Sequence, residues 1–134
     1  MQKSVGGILR GGLILLLLAV FSANASEGGK EGGEGLYQKL DPFTVNLAGL
    51  TQVIQMSITL KLAKPETGAK VILYTPAVRH AVILLLSEKN AEQLSTPEGK
   101  KRLILETRAA INKAIELNVK EGVAEVLLES VLIQ

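Results

Sequence analysis

Residues 75–108 read TPAVRHAVILLLSEKNAEQLSTPEGKKRLILETR: an apolar helix, a short polar elbow and a second helix with a clear start signal. That start is Ser95-Thr96-Pro97-Glu98. Thr96 or Ser95 can cap the free backbone N–H groups, and Pro97 suits a first turn in which its missing N–H is not needed. Glu98 sits at the positive end of the helix dipole. With Ser95 as the cap, Glu98 falls at the third helical position and closes a capping box. Upstream, Ala77 to Leu86 is apolar on almost every side after Arg79 and His80, the pattern of a helix held within a core or against partners.

Downstream of the elbow, the helix from Pro97 is expected to run to about Leu117. Leu103, Ile104, Thr107, Ile111, Ala114 and Ile115 form one stripe, while Lys101, Arg102, Glu106, Arg108, Lys113 and Glu116 take the other side. Lys120-Glu121-Gly122 ends that region. Val123 to Ile133 then reads as a last strand whose blurred alternation predicts cover on both faces.

In the other direction, Ile54, Met56, Ile58, Leu60 and Leu62 alternate with polar residues, which means one buried face and one wet face. Phe43 to Ala48 reads as the strand before it, entered in extended backbone through Asp41-Pro42. Thr44 to Leu62 is thus predicted to be a β-hairpin. Ala63 to Gly68 breaks the strand, and Ala69 to Tyr74 is a short helix that Pro76 kinks or restarts. The sum is an α+β fold, a small mostly antiparallel sheet with helices packed on one face.

The beginning of the sequence has a different character. Lys3 and Arg10 precede the apolar run Gly11 to Phe21, and Ser22-Ala23-Asn24-Ala25 offers a small-x-small cleavage motif. Residues 1–25 are therefore expected to be a signal peptide or an N-terminal membrane anchor. Cleavage after Ala25 is favoured, because a spanning helix needs about 20 apolar residues. Residues 26–35, SEGGKEGGEG, form a Gly-rich flexible tether with a mean reach of about 20 Å. Residues 36–134 make up the exported domain.

Composition excludes several classes of function. The formal charge of +2 comes from 15 basic and 13 acidic residues, and Lys3 and Arg10 supply the whole excess. No nucleic-acid partner is expected. The absence of cysteine removes disulfides, zinc-thiolate sites and thiol catalysis. His80 and Asp41 are the sole histidine and aspartate, and nothing in the sequence brings them together with a serine. The glutamates are scattered among Lys and Arg as on a solvated face. No catalytic, cofactor-binding or metal-binding residue is assigned, no cofactor is called for, and an enzyme is not expected.

The same features suit an interaction module. Val82 to Leu86 offers more apolar surface than one helix contact uses, which makes Val82 and Leu85 candidate contacts. Lys101, Arg102, Glu106 and Arg108, with the wet face of the 54–62 strand, are candidates for a polar contact between copies that closes into a ring.

The segment ILLLSEKNAEQLSTPEGKKRL (83–103) resembles the signature of the flagellar basal body-associated FliL family, in which a leucine run, a Ser-Lys segment, an AEQL-like turn and TPEGK follow one another. LDPFTVNL (40–47) and the terminal VLIQ (131–134) agree with it in order, so the resemblance covers roughly residues 36–134. It implies a non-enzymatic accessory of the flagellar motor, located in the periplasm at the inner membrane and basal body. Such a protein associates with the stator as a homo-oligomeric ring and supports torque, swimming or swarming. It also implies a domain like that of stomatin and prohibitin. The short apolar run at 11–21 departs from the family's usual single membrane-spanning helix. The alternative reading is a soluble periplasmic domain that binds a small ligand or lipid and has no link to motility.

Overall fold

The computed structural model describes residues 36–134. The leader or anchor expected at 1–25 and the tether at 26–35 lie outside the described residues.

Strand β3 (Val53–Leu62) is the axis of an antiparallel sheet. Its strict alternation turns Ile54, Met56, Ile58, Leu60 and Leu62 into the core, each 3% exposed or less. On one side β3 pairs with β4 (Val123–Ile133) along its whole length. On the other it pairs end to end with β1 (Tyr37–Lys39) and β2 (Phe43–Asn46). The β2–β3 hairpin is as the alternation predicts, except that β2 stops at Asn46, two residues short of Ala48. Beyond it, Leu47 N–H bonds to Gln52 O and the loop turns through left-handed Gly49 and Leu50.

Strand β1 was not foreseen, because three half-polar residues after a glycine-rich stretch show no usable period. The break between β1 and β2 has a simple cause. Leu40 N–H still bonds to Ile58 O and Phe43 already faces Met56, so Asp41 and Pro42 together oppose Ser57. This is a β-bulge at a sheet edge, where proline's missing N–H does no harm. Arg79 holds it in place. Its Nη1 donates to Asp41 O at 2.7 Å and its Nη2 to Pro42 O at 2.8 Å, and the guanidinium lies 4.1 Å from the centre of the Phe43 ring. Arg79→Ala is expected to cost about 2 kcal/mol in urea unfolding. Arg79→Lys should recover little of that, since an ammonium cannot supply the planar fork.

Strand β4 corrects the expectation that both its faces are covered. Its register against β3 slips at Glu129 and at Ala124, so the outward and inward residues change places along the strand. Val123 and Val126 are buried, whereas Leu127 and Leu132 are exposed on the open face. Two bulges, not double burial, blurred the alternation. On the same open face, Lys39–Glu129 at 3.4 Å and Lys61–Glu125 at 3.5 Å are solvent-exposed pairs of little energetic weight.

The opposite face is covered by helices. Helix α1 (Thr67–Leu73) bends by 77° into α2 (Thr75–Ser87), where Pro76 occupies the first turn as a restart signal should. Helix α3 (Ala91–Ser95) is a single turn or so within the predicted polar elbow, and α4 (Pro97–Ala114) follows. Helix α4 packs on α2 and β4, while α2 packs on β2. Val78, Val82 and Leu86 of α2 and Leu103, Thr107 and Ile111 of α4 face the sheet. The architecture is α+β, a small antiparallel sheet with helices on one face.

Helix α4 ends three residues before the predicted Leu117. Leu117 N–H reaches back to Asn112 O and Glu116 N–H to Lys113 O, the paired bonds of a Schellman cap, with Glu116 at φ 60°. Glycine usually signals such a cap, and glutamate gives no warning of it. In the turn beyond, the Glu121 carboxylate lies 2.6 Å from Lys64 Nζ and raises the Lys64 pKa above its usual 10.5. A raised lysine pKa means the pair's contribution is complete at neutral pH and is lost only as pH climbs through that alkaline value.

Candidate functional site

The elbow between α2 and α4 is a dense network of caps, backbone bonds and one ion pair. It begins where α2 runs out: Lys89 N–H bonds to Leu86 O, and Lys89 O accepts from Ala48 N–H of the hairpin loop. Asn90 then starts α3. Gln93 N–H donates to Asn90 Oδ1 at 2.8 Å and Asn90 N–H donates to Gln93 Oε1 at 2.9 Å. A capping box is thus present, but at Asn90–Gln93 rather than at the expected Ser95–Glu98. Ser95 instead donates its hydroxyl to Ala91 O, and Thr96 caps α4 by accepting from Gly99 N–H at 2.9 Å. Both Ser95 and Thr96 satisfy a start-signal pattern, and only the extra turn of α3 decides between them.

Two contacts lock this path to the body of the domain. Leu94, 2% exposed, anchors α3 in the core. Lys89, only 14% exposed in its side chain, places Nζ 2.7 Å from Glu106 Oε1 on α4. That contact is an ion pair by distance, without hydrogen-bond alignment. Gly99 makes the packing possible. A Cβ there would overlap the Gln93 carbonyl oxygen and stand 2.9 Å from its carbonyl carbon.

Lys89, Gln93, Leu94, Gly99, Arg102 and Glu106 line a depression of about 240 Å³. Its chemistry is that of a recognition surface, with paired charges at the floor and a cation at the rim. Among the described residues no three His, Asp or Glu side chains are grouped to hold a metal ion. His80 and Asp41 are both exposed, and the Asp41 carbonyl is occupied by Arg79.

The six residues singled out from sequence occupy different settings. Lys101 and Arg102 are exposed on α4 and make no ion pair among the described residues. Glu106 is half-buried against Lys89. Arg108 is turned inward, where its Nη1 donates to Ala124 O at 3.1 Å and pins β4. Val82 is 0% exposed and belongs to the core, and Leu85 is half-buried beside it. The apolar surface that α2 does offer consists of Ile83 and Leu84, 40% and 51% exposed. Only Arg102 and Glu106 of the six come together, in the elbow depression.

Sequence reasoning passed over Lys89, Gln93, Arg79 and Asn112. The first two lay within a segment read only as a polar elbow. Asn112 falls in neither the apolar stripe nor the charged side expected of α4, yet it is 6% exposed and clamps the start of β4. Its Nδ2 donates to Val123 O at 3.0 Å and its Oδ1 accepts from Val123 N–H at 2.7 Å. The signal available was its position: it stands next to Ile111, on the edge of the apolar stripe.

The family model described as "Flagellar basal body-associated protein FliL" matches residues 37–134, which is the described domain from β1 to the last residue. The "Flagellar protein FliL" of Escherichia coli (strain K12) is 34% identical over 100 residues, covering 74% of this chain and 65% of that protein. The "Flagellar protein FliL" of Aquifex aeolicus (strain VF5) is 36% identical over 103 residues, covering 75% of this chain and 62% of that protein. The matched region therefore spans a little under two thirds of the length of these relatives. The match takes in the hairpin, the elbow and the terminal strand together, and the chain belongs to the FliL family of flagellar basal body-associated proteins.

Proposed function

We propose that this chain is a non-enzymatic accessory of the flagellar motor, held at the basal body, that associates with the stator and supports torque in swimming or swarming cells. The observation that carries this reading is the match to the basal body-associated family across the entire described domain. The fold is consistent with a role in contact rather than chemistry. Its elbow depression, about 240 Å³ and lined by the Lys89–Glu106 pair, is smaller than the roughly 300–1,000 Å³ of typical ligand pockets.

In this account residues 1–25 direct export, with cleavage after Ala25 or retention as an anchor, and residues 26–35 tether the domain. The domain then works in the periplasm near the inner membrane, built on a stomatin/prohibitin-like plan. Copies assemble into a ring around the stator. Lys101 and Arg102 of α4, beside the elbow depression, face the neighbour or the stator, as do Ile83 and Leu84 of α2. Binding one stator conformation better than another shifts that equilibrium with no covalent step.

The test is localisation of a fluorescent fusion in living cells. Foci at flagellated sites that disperse when the stator genes are removed are the expected result. Foci that persist unchanged in cells lacking both stator and basal body would contradict the proposal.

A further inference from the structure

Helix α1 closes one end of the sandwich. Thr67 Oγ1 donates to Glu121 O at 2.6 Å and Val71 is 0% exposed, so the helix lies across this end with one face on the core. Its outer face carries Ala69, Ile72 and Leu73, the last two 65% and 73% exposed. Exposed Pro76 and Ala77 continue that surface past the bend into α2. All five are uncharged. Beside them Tyr74 is half-buried, with the Lys70 ammonium 5.6 Å from the centre of its ring.

The described chain comes in at the same end. Tyr37 pairs with Lys61 near the finish of β3, and a Cβ on Gly68 of α1 would stand 3.1 Å from Gln38 Oε1. Tyr37 is 46% exposed. Both tyrosines of the chain, the Ile72–Leu73 pair and the attachment point of the preceding sequence therefore share one end. The hairpin loop, the elbow and Gln134, which bonds to Val53, occupy the other.

We propose that the α1 corner, Ile72 and Leu73 with Tyr74 and Tyr37 at its margin, seats in the interfacial layer of a phospholipid bilayer. The domain then stands end-on, with its elbow turned away from the lipid. A short helix with an apolar outer face, a neighbouring lysine and flanking tyrosines has the composition of an interfacial contact. The Lys70 ammonium, 5.6 Å from the centre of the Tyr74 ring, stands at the margin of the apolar patch, where anionic headgroups would meet it. A second copy of the chain fits less well. A stable dimer buries on the order of 1,000 Å² or more, beyond what two large side chains on a seven-residue helix offer. Lipid needs no such area if residues 1–25 are retained as an anchor, because the ten-residue Gly-rich stretch at 26–35 then keeps the domain at high effective concentration beside the membrane. The inference holds whether or not the chain serves a flagellar motor.

The chain has no cysteine, so one introduced thiol is a unique probe site. The full chain, with residues 1–25 in place, is synthesised onto vesicles of phosphatidylethanolamine and phosphatidylglycerol carrying Leu73→Cys labelled with an environment-sensitive fluorophore. Ile72→Cys gives an independent reading, and Leu50→Cys, equally apolar and 79% exposed at the other end, is the control. The expected result is a blue shift at 72 and 73 with loss of intensity when brominated lipid is used, and neither at 50. The proposal is overturned by equal quenching at 50, by neither blue shift nor bromine quenching at 72 and 73, or by a blue shift at 72 and 73 without quenching. The last outcome would assign the corner to a protein contact.

Discussion

Gly99→Ala is expected to lower the thermal midpoint of the domain by roughly 12–24 °C. The added carbon would overlap the Gln93 carbonyl oxygen and lie 2.9 Å from its carbonyl carbon. Both atoms are backbone, so no flexible side chain can swing aside. They belong to α3, which Leu94 holds in the core and Asn90 caps. Either α3 is pushed off or the first turn of α4 is lost together with the Thr96–Gly99 bond. Overpacking of this kind costs about 3 kcal/mol, and each kcal/mol moves the midpoint of a domain this size by about 4–8 °C. Circular dichroism melting checks it. A fall of only about 1–2 °C, corresponding to well under 1 kcal/mol, would mean that the elbow is pliable and not a fixed platform.

Asn112→Ala is the second substitution of large expected effect, at about 2–6 kcal/mol in urea unfolding. The substitution strips partners from both the N–H and the C=O of Val123, a residue with no exposed surface, and each orphaned buried group costs about 1–3 kcal/mol. Water cannot easily replace the amide, because Gly122 is also buried and packs directly against Asn112 Oδ1. Asn112→Asp separates packing from hydrogen bonding. It keeps the acceptor for Val123 N–H but sets a carboxylate against Val123 O, which holds the carboxyl pKa above its ordinary value. Its folded form is then stabilised at low pH and loses that stability as pH rises through the raised value. Hydrogen exchange at the Val123 amide reports the clamp directly. Slow exchange in Asn112→Ala would show that the clamp does not hold β4.

Much of the framework was legible because it rests on repetition. The alternation from Ile54 to Leu62 and the α4 stripe from Leu103 to Ile111 each repeat a burial choice several times, so one misleading residue changes little. Pro97 with Thr96, and Pro76 before the apolar helix, marked both helix starts within two residues. What escaped were single events. The bulges at Asp41–Pro42 and Glu129, the Schellman turn on Glu116 and the box at Asn90–Gln93 each depend on one local geometry that leaves no period in the sequence.

The candidate site was less legible for a related reason. Charge on a helix face says where water can be, not which partner a side chain will choose. Lys101, Arg102, Glu106 and Arg108 looked alike on α4. Packing then sent Arg108 to Ala124 O and Glu106 to Lys89, and left Lys101 and Arg102 exposed. Val82 and Leu84 were equally apolar neighbours, yet the helix phase buries one and shows the other.

The central claim, a role in the flagellar motor, is tested most directly by motor torque under load. The gene is deleted, and rotation is followed with a bead attached to a filament stub across a range of viscosities. The account predicts that torque falls at high load in the deletion strain, and that the full chain restores it. Loss of restoration with Arg102→Glu, in a strain where that variant reaches the level of the original protein, would tie the effect to the elbow surface. Torque in the deletion strain equal to that of the parent at every load would contradict the account.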